Sequence, residues 1–242
     1  MTDPKNSVNA VRTTLHLLEA LKTSDNAGIT ELANRTGVSK GTVHNHLTTL
    51  EDEDFVVKED GQYELGLRFL DIAHHAKQRV GIYGLVRQEV DKLAEKSGEM
   101  ALYTQEEHGM GVCLYRTLGE DAVQTPLYVG HRDELHHTAV GKAILAHLPR
   151  ERVDEIIKER GLPRYTENTI TDRSELFDEL EEIREREFAF NQEETIPGLV
   201  GVGAPITDQN GAVSGAISII GPASRMDEDR FYNELPELIT RS

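Results

Sequence analysis

The sequence has no tryptophan, a single cysteine and few other aromatic residues, and it contains no long apolar run. Because Cys113 is the only cysteine, an intrachain disulfide is excluded. Its thiol lies in the alternating run GVCLY, which favours burial over a redox role. The lack of about 18 consecutive apolar residues excludes a typical membrane-spanning helix. The first residues, MTDPKNSVNAVRTT, lack the charged-then-apolar order of a secretory signal, so a cytoplasmic location is expected.

Basic residues are also scarce. The chain has 26 Lys and Arg, of which nine are Lys, against 43 Asp and Glu, and its formal net charge is -17. The acids are spread along the chain, so they indicate a solvated surface rather than an acidic interaction arm. This composition resembles that of proteins from salt-accumulating halophiles; an ordinary acidic mesophilic protein is the alternative. The charge bears on solubility and partners, not on fold.

The N-terminal third has the pattern of three helices. Residues 8–23 place apolar side chains at helical spacing, and the loop SDNAG ends this element. In the stretch ITELANRTGVSKGTVHNHLTTL, Thr30 is expected to cap a short helix and Gly37 to make a tight turn. Ser39 is expected to cap a longer third helix. The sequence therefore predicts a first helix, followed by two helices that meet at a glycine turn.

The residues that follow predict a hairpin and then a helical connection. FVVKEDGQYELG reads as two short strands joined at Asp60-Gly61, a strong hairpin signal. Three helices and a hairpin make a winged helix-turn-helix domain over residues 1–66. Residues 67–80 predict a helical linker, which glycines at 81 and 84 separate from another helix.

Residues 81–242 predict a second domain of the α+β class, because strand-like runs and helical stretches follow each other from Gly98 onwards. The predicted strands cover 100–105, 111–118, 124–130, 188–194, 199–208 and 213–221. The predicted helices cover 139–148, 150–160 and 174–187. Asp172 and Glu175 form a capping pair for the last of these helices.

The third helix offers an uncharged polar face that suits a DNA groove. At about 100 degrees per residue, Leu47 and Leu50 fall on the same side as Val43. The residues on the opposite side and its flanks are Lys40, Gly41, Thr42, His44, Asn45 and Thr48. Base edges in the major groove are read by hydrogen-bond donors and acceptors, and Asn45 can pair with adenine. A three-helix module for protein contacts is the alternative.

Other residues of this domain are expected at the edges of the DNA contact. They are Arg12, Thr30, Ser39 and Lys58. The four acids of residues 51–54 are expected to lie past the third helix, where the chain turns into the wing. His44 and His46, two residues apart on a helix, do not converge on a metal, and His46 is expected to be packed on the buried side.

Five motifs in this order resemble the IclR family of transcription regulators. They are SVNAVRTTLHLLEAL, GITELANRTGVSKGTVHNHLTTL, GQYELGLRFLDIA, HHTAVGKAILAHLP and GLVGVGAPITDQNGAVSGAISIIGP. The resemblance spans nearly the whole chain and implies an N-terminal winged helix-turn-helix, a helical linker and a C-terminal GAF-like effector-binding domain. It also implies a homodimer, in which a small and usually acidic metabolite changes operator affinity. Whether dimers pair into tetramers stays open.

Two positions of the DNA module depart from the family pattern. Relatives commonly carry Arg at the position of Asn45, and the position of His46 is usually apolar. The guanine or phosphate contact that such an Arg would make is therefore not expected here, and the operator preference leans towards adenine.

The motif HHTAVGKA predicts an anion site. Thr138 stands where a helix begins, and the first free N–H groups, those of Ala139, Val140 and Gly141, would point outward from it. A small carboxylate can bind there without a buried arginine, because backbone donors and the helix dipole supply the field. In the family, the positions matching Ala139 and Val140 line the effector pocket. A plain capped helix is the alternative.

The resemblance implies four further pocket residues: Asn191, Leu199, Gly201 and Ser218. Many relatives have Asp at the position of Asn191 and a larger residue at Gly201. Because Asn both donates and accepts, and because Gly leaves room, a sugar acid with several hydroxyls fits this pattern; keto and aromatic acids stay open. For the neighbouring Glu193 and Glu194, a position as exposed acids is as consistent with the sequence as a place in the pocket.

An enzyme and an interaction scaffold are the rival classes. A hydrolytic or metal site would have to be assembled from Cys113, His136, His137, Thr138 and Asp208. The sequence has no HExxH spacing, nucleophile elbow or phosphate-cradling glycine loop. We therefore expect no catalysis, no cofactor and no metal. The expected partners are a double-stranded DNA operator, a small-molecule effector and a second copy of the chain, without a membrane.

Overall fold

A computed structural model describes residues 7–24 and 26–241. Their contacts divide the chain into two compact units, the first ending at Gly81 and the second beginning at Ile82. Residues 1–6, Asp25 and Ser242 lie outside the described residues, and so do the parts of the predicted SDNAG loop and of the two predicted domains that they make up.

The first unit has the three helices and the hairpin that the sequence predicts. Its helices are α1 (Asn9–Lys22), α2 (Ile29–Thr36), α3 (Lys40–Asp52) and α4 (Arg68–Gln78). Its strands are β1 (Ala27–Gly28), β2 (Val56–Glu59) and β3 (Gln62–Leu65). They form an antiparallel sheet in the order β1-β3-β2. Leu17, Leu32 and Leu47 meet in its core, where none of the three has any exposed surface.

The two predicted turns of this unit are confirmed. Gly37 has a φ of 72° and ends α2, and Asp60 and Gly61 have φ values of 49° and 80° between β2 and β3. Two successive positive φ values are those of a tight hairpin turn whose twist matches the strands. The prediction that Thr30 caps α2 is wrong. The extended residue Gly28 pairs with β3 and leads straight into the helix at Ile29, so Thr30 lies inside its first turn.

The predicted linker helix is held by the first unit through its N-terminal end. The rings of Phe69 in α4 and Phe55 meet edge to face, with centroids 5.1 Å apart. The guanidinium of Arg68 lies 4.9 Å from the centroid of the same Phe55 ring. The division of the chain after Gly81 accordingly keeps α4 with the first unit.

The second unit is a six-stranded antiparallel sheet with helices on both faces. Its helices are α5 (Tyr83–Ser97), α6 (Ala139–His147), α7 (Arg150–Arg160), α8 (Arg173–Arg186) and α9 (Leu235–Thr240). Its strands are β4 (Met100–Glu107), β5 (Met110–Leu118), β6 (Arg132–Glu134), β7 (Ala189–Gln192), β8 (Leu199–Thr207) and β9 (Val213–Pro222). The order is β6-β5-β4-β9-β8-β7. Helices α6, α7 and α8 share one core with the sheet, and α5 and α9 pack elsewhere on its strands.

One predicted strand is absent from this sheet. Residues 124–130 form a loop, because Pro126 has no N–H for a strand ladder and Gly130 turns the chain with a φ of 92°. Arg116 holds the loop by donating to the carbonyl of Leu127. The strand at this edge of the sheet is instead β6. The sequence analysis did not predict β6, β1 or the C-terminal helix α9.

Helix α6 lies very close to its neighbours, and two glycines make this possible. A Cβ at Gly141 would lie 2.1 Å from the carbonyl oxygen of Leu135, in the 3-10 turn Leu135–His137. A Cβ at Gly203 of β8 would lie 2.7 Å from the carbonyl carbon of Ala139 and 2.9 Å from the nitrogen of Val140. Any larger residue at either position would push the start of α6 off the sheet.

The variant Gly203→Ala should destabilise the second unit, because its methyl group would meet the backbone of α6. We expect a loss of roughly 1 to 3 kcal/mol in the free energy of unfolding, the usual cost of overpacking. Urea denaturation followed by circular dichroism measures it. The control is Gly84→Ala, whose Cβ meets no atom within 4 Å. Equal stability of the two variants would contradict the close packing of α6.

Candidate functional site

The outward face of α3 is polar and accessible, as predicted. Val43, Leu47 and Leu50 are buried. The exposed residues among the predicted DNA contacts are Arg12, Thr30, Ser39, Lys40, Gly41, His44, Asn45, Thr48 and Lys58, while Thr42 is half-buried. Ser39 caps α3, its Oγ accepting from the N–H of Thr42 at 3.1 Å. The fold thus brings most of the set onto one helix, with Arg12 on α1, Thr30 on α2 and Lys58 on the wing strand β2; their contact with DNA stays a prediction.

His46 is packed, as the sequence predicts. It is half-buried, and its Nδ1 lies 2.8 Å from the hydroxyl oxygen of Thr14 on α1. The side chain therefore joins two helices of the unit and is turned away from the outward face.

The acids of residues 51–54 are nearer to that face than predicted. Glu51 and Asp52 belong to the last turn of α3, and the four are all exposed. The prediction that they lie past the helix is therefore wrong for Glu51 and Asp52. Asp52 follows Asn45 by two helical turns and lies on the same side. Because recognition helices contact bases through their N-terminal residues, the acid falls at the far end of the surface.

Asp52→Asn should strengthen DNA binding at low salt and leave it unchanged at high salt. A unit charge near a phosphate acts over about 10 Å at 0.1 M salt but only about 3 Å at 1 M. We expect roughly threefold tighter binding at 0.1 M KCl, measured by fluorescence anisotropy on an operator fragment. Asp178→Asn, which removes an exposed acid of the second unit, is the control. A gain that persists in molar KCl would show that the effect is not electrostatic.

The second unit contains a cavity of about 230 Å³ between the sheet and the start of α6. The seven residues predicted for effector binding all line it: Thr138, Ala139, Val140, Asn191, Leu199, Gly201 and Ser218. They come from α6, β7, β8 and β9, which antiparallel pairing and the close packing of α6 bring together. Their role in binding stays a prediction.

The start of α6 has the predicted cap. The Oγ1 of Thr138 accepts from the N–H of Gly141 at 3.0 Å. The expectation that Gly141 offers a free N–H is therefore wrong, because the cap already uses it. The N–H groups of Ala139 and Val140, at the first two helical positions, have no intrahelical acceptor, and both residues face the cavity.

Two of the predicted polar residues differ in what they offer a ligand. Ser218 has no exposed surface, and its Oγ has no hydrogen-bond partner. Asn191 is engaged at both ends, since its Nδ2 donates to Thr195 and its Oδ1 accepts from the N–H of Glu194. Of these two residues, Ser218 is thus the one with a free polar group, whereas Asn191 holds the loop that follows β7.

Gly201 does not provide the room that the sequence suggested. A Cβ there would lie 3.1 Å from the carbonyl oxygen of Ile219 and 3.3 Å from Cγ1 of Ile220. The space beside this glycine is already taken by β9, so the residue serves close packing between the strands.

A cluster of acids and histidines forms another part of the wall. Nε2 of His137 lies 3.6 Å from Oδ1 of Asp133 and 3.9 Å from Oε2 of Glu134. Tyr165 stacks on the His137 ring, with centroids 4.0 Å apart, and its hydroxyl donates to Oε2 of Glu134. Oδ2 of Asp133 lies 3.1 Å from Nε2 of His131. Asp133, His131, His137 and Tyr165 all line the cavity.

Burial controls the charge state of this cluster. It lowers the pKa of His137 to about 4, so the imidazole is neutral near pH 7. Burial raises the pKa of Asp133, although His131 opposes the shift. Burial would also raise the pKa of Glu134, but the hydrogen bond from Tyr165 and the protein backbone bring it below its ordinary value. The wall therefore carries the acid Asp133 beside a neutral histidine.

Sequence reasoning missed the cavity roles of His131, Asp133, Tyr165 and Thr195, which lie in loops and at a sheet edge without a motif. Cys113, His137 and Thr138, considered for a catalytic site, do meet at the cavity. Asp208 does not join them, because it is exposed in the β8–β9 turn and accepts from the N–H groups of Asn210 and Ala212.

The interpretation of Glu194 as an exposed acid is wrong. It is buried, and its Oε1 accepts from Nζ of the buried Lys142 at 2.7 Å. This ion pair joins α6 to the loop after β7. Because that loop follows Asn191, the ion pair stabilises the part of the cavity wall that contains Asn191.

A winged helix-turn-helix unit and a second unit with a ligand-sized cavity define a DNA-binding transcription regulator with an effector-binding domain. The family models agree. The IclR helix-turn-helix domain matches residues 10–60, and the model described as "Bacterial transcriptional regulator IclR C-terminal" matches residues 74–242. The chain belongs to the IclR family.

Individual proteins of this family resemble the chain over almost its full length. The probable HTH-type transcriptional regulator ArcR of Halobacterium salinarum is 31% identical over 96% of this chain and 90% of its own. The crystal structure of the Thermotoga maritima IclR aligns with a TM-score of 0.80 at 27% identity, over 96% and 95% of the two chains. An IclR homolog from Microbacterium hydrocarbonoxydans, complexed with 4-hydroxybenzoate, has the same fold, with a TM-score of 0.80 at 19% identity over 96% and 95%.

The helices were compared with the length and apolarity that a membrane-spanning helix needs. Among residues 7–24 and 26–241, no helix is both long enough and apolar enough to cross a bilayer.

Proposed function

We propose that operator affinity is controlled by a small carboxylic acid bound in the cavity beside the start of α6. The observation that carries this proposal is the Oγ of Ser218, which is fully buried on the cavity wall without a partner. An unpaired buried hydroxyl costs free energy, and a ligand that accepts from it or donates to it removes that cost. A buried donor inside a ligand-sized cavity is therefore best explained by a ligand.

The start of α6 supports an acidic ligand. The N–H groups of Ala139 and Val140 stand at the positive end of a helix whose first eight residues are buried, where little water screens the dipole. A carboxylate there would accept from backbone donors. This is the one strongly favourable anion position that the lining offers, since no Lys or Arg is among the described residues that line the cavity.

Apolar walls support a compact keto or aromatic acid over a sugar acid. The apolar lining residues include Met100, Leu102, Leu127, Ile196, Leu199 and Ile220. Several hydroxyls of a sugar acid would lose their hydrogen bonds to water against such walls. The complex of the M. hydrocarbonoxydans homolog with 4-hydroxybenzoate supports this choice, because it pairs this fold with a small aromatic carboxylate.

We further propose that two chains bind one pseudo-palindromic operator through α3, as a homodimer. Exposed apolar side chains near the C-terminal end of the DNA-binding unit support a partner: Leu67, which precedes α4, is 79% exposed, and Leu70 in α4 is 65% exposed. Burial of such residues between copies would contribute to association. The protein would act in the cytoplasm without catalysis of its own.

Binding of purified full-length protein to DNA upstream of its own and neighbouring genes tests the function. Electrophoretic mobility shifts with and without keto and aromatic acids should show a sequence-specific complex that one class of acid strengthens or weakens. The complex should survive molar KCl, because the outward face of α3 relies little on phosphate charge. No specific shift on any of these fragments would overturn the regulator function.

Ser218→Ala should weaken the effector without changing basal DNA affinity. A hydrogen bond to a charged group contributes about 1.5 to 3 kcal/mol, so the half-maximal effector concentration should rise about tenfold or more. Because the hydroxyl has no partner without ligand, the melting temperature of the free protein should stay unchanged or rise. Ser224→Ala, at an exposed serine, is the control. An unchanged effector response would place the ligand elsewhere.

Asn45→Ala should relax base preference while weak DNA binding remains. An amide that pairs with adenine contributes roughly 1 to 3 kcal/mol of discrimination, so affinities for the operator and for a variant with that base changed should converge. Lys58→Ala, at the wing, serves for comparison and should weaken binding on all sequences alike. Titrations of both DNAs measure the ratio. An equal loss on both DNAs with Asn45→Ala would contradict base reading by this residue.

A further inference from the structure

The segment that follows α3 is bonded to both α3 and the start of the linker helix. Residues 53–55 come directly after α3, and the N–H of Phe55 donates to the carbonyl of Leu50 in α3 at 2.7 Å. The N–H of Gly66, which stands two residues before α4, donates to the carbonyl of Phe55 at 2.8 Å. Phe55 thus connects the end of the DNA-facing helix with the beginning of α4.

Gly66 lies so close to this segment that no side chain fits between them. The residue is buried, and a Cβ there would overlap the carbonyl oxygen of Asp54 and lie 3.0 Å from the carbonyl carbon of Phe55. Because these are backbone atoms, no side-chain rotation can relieve the overlap. The backbone before α4 therefore rests directly on the backbone after α3.

Arg68, the first residue of α4, holds the same segment with its guanidinium. Its Nη1 donates to the carbonyl oxygen of Glu53, and the guanidinium carbon lies 4.9 Å from the centroid of the Phe55 ring. The Phe69 ring meets that of Phe55 edge to face, with centroids 5.1 Å apart. The Glu53 carboxylate lies 3.8 Å from Nη1, but this ion pair is exposed and contributes little, least of all in high salt. The main contacts of Arg68 are therefore with a backbone carbonyl and a ring.

The two helices joined in this way carry the two surfaces of the proposed dimer. Helix α3 carries the outward face for DNA, whereas Leu67 and Leu70 at α4 are exposed for a second copy. Each base pair added between two half-sites moves one of them by about 3.4 Å and rotates it by about 35 degrees. A dimer can therefore select one spacing only if α3 is held at a fixed angle to α4.

The contacts of Gly66, Arg68 and Phe69 with residues 53–55 are called the α3–α4 clasp. We propose that the α3–α4 clasp determines which half-site spacing the dimer accepts. Arg68 is then a positioning residue, which acts on DNA recognition through the placement of α3 and not through contact with a base. The main chain of Glu53 has a part in this, whereas its carboxylate is dispensable. The inference rests on the proposed homodimer and operator, but not on the identity of the effector.

A series of operators with altered spacing tests the clasp on the full-length protein. The fragment that shifts in the mobility assay is remade with one base pair added or removed between its half-sites. Fluorescence anisotropy measures the affinities in molar KCl, where a charge change at residue 53 is screened. The unchanged protein should bind each altered fragment roughly tenfold or more weakly. Arg68→Ala should reduce this difference to about threefold or less, because its α3 can turn to meet a displaced half-site.

Glu53→Gln is the matched control. It removes the exposed ion pair but leaves the carbonyl and ring contacts, so it should keep the full spacing preference. Phe69→Leu, which keeps an apolar side chain but loses the ring contact, should relax the preference as Arg68→Ala does. Circular dichroism verifies that each variant is folded.

Two results would overturn the proposal: a wild-type spacing preference in both Arg68→Ala and Phe69→Leu, or a dimer of the unchanged protein that binds all spacings alike. Light scattering counts the chains on each fragment. One chain per fragment would refute the proposed homodimer and this inference with it. The proposed function fails separately, if no specific complex forms or no organic acid changes it.

Discussion

The contact of α6 with the backbone around it is the constraint on which the second unit depends. Gly141 lets the helix touch the turn at Leu135, and Gly203 lets its first residues touch β8. With both contacts made, the helix is buried along Ala139–Ala146 and its N–H groups open into the cavity rather than into water. The same packing fixes the turn that carries His137. These two close approaches thus place the helix dipole, the cavity wall and the acid–histidine cluster with respect to one another.

The ligand chemistry follows from what this arrangement leaves unsatisfied. The protein closes most of its own hydrogen bonds around the cavity: Thr138 caps α6, and Asn191, Thr195 and Glu194 are joined in one network. Among the described residues, the exceptions are Oγ of Ser218 and Nε2 of His137, which are buried at the cavity, and Oε2 of Glu194. Unpaired buried polar atoms are rare in proteins because they are costly. The presence of the first two on the wall of one cavity gives a physical reason for a ligand that pairs with them.

The DNA-binding unit must recognise DNA although the chain has a net charge of -17. Its outward helix face carries amide, imidazole and hydroxyl groups near the N-terminus and acids at the end. Affinity that comes from phosphate charge falls with salt concentration, whereas hydrogen bonds to base edges depend on it far less. The arrangement suits a cell interior with a high salt concentration, where the acids are screened within a few ångströms.

Local patterns in the sequence predicted much of the fold, because helix spacing, the Asp60-Gly61 turn and the caps at Ser39 and Thr138 are short-range effects. The resemblance to the family placed six residues around one cavity, and the helix-cap pattern added Thr138. The sequence could not show which strands become neighbours, so it missed Asp133 at a sheet edge and Tyr165 in a loop. It misjudged residues 124–130 because the apolar alternation there looked like a strand, although Pro126 and Gly130 prevent the ladder.

A crystal structure of the full-length protein with its effector, chosen by the largest rise in melting temperature among small organic acids, tests the central claim most directly. Our account expects the carboxylate within about 3 Å of the N–H groups of Ala139 or Val140, with another ligand atom at a similar distance from Oγ of Ser218. An effector bound outside this cavity, with Ser218 still unpartnered, would contradict it.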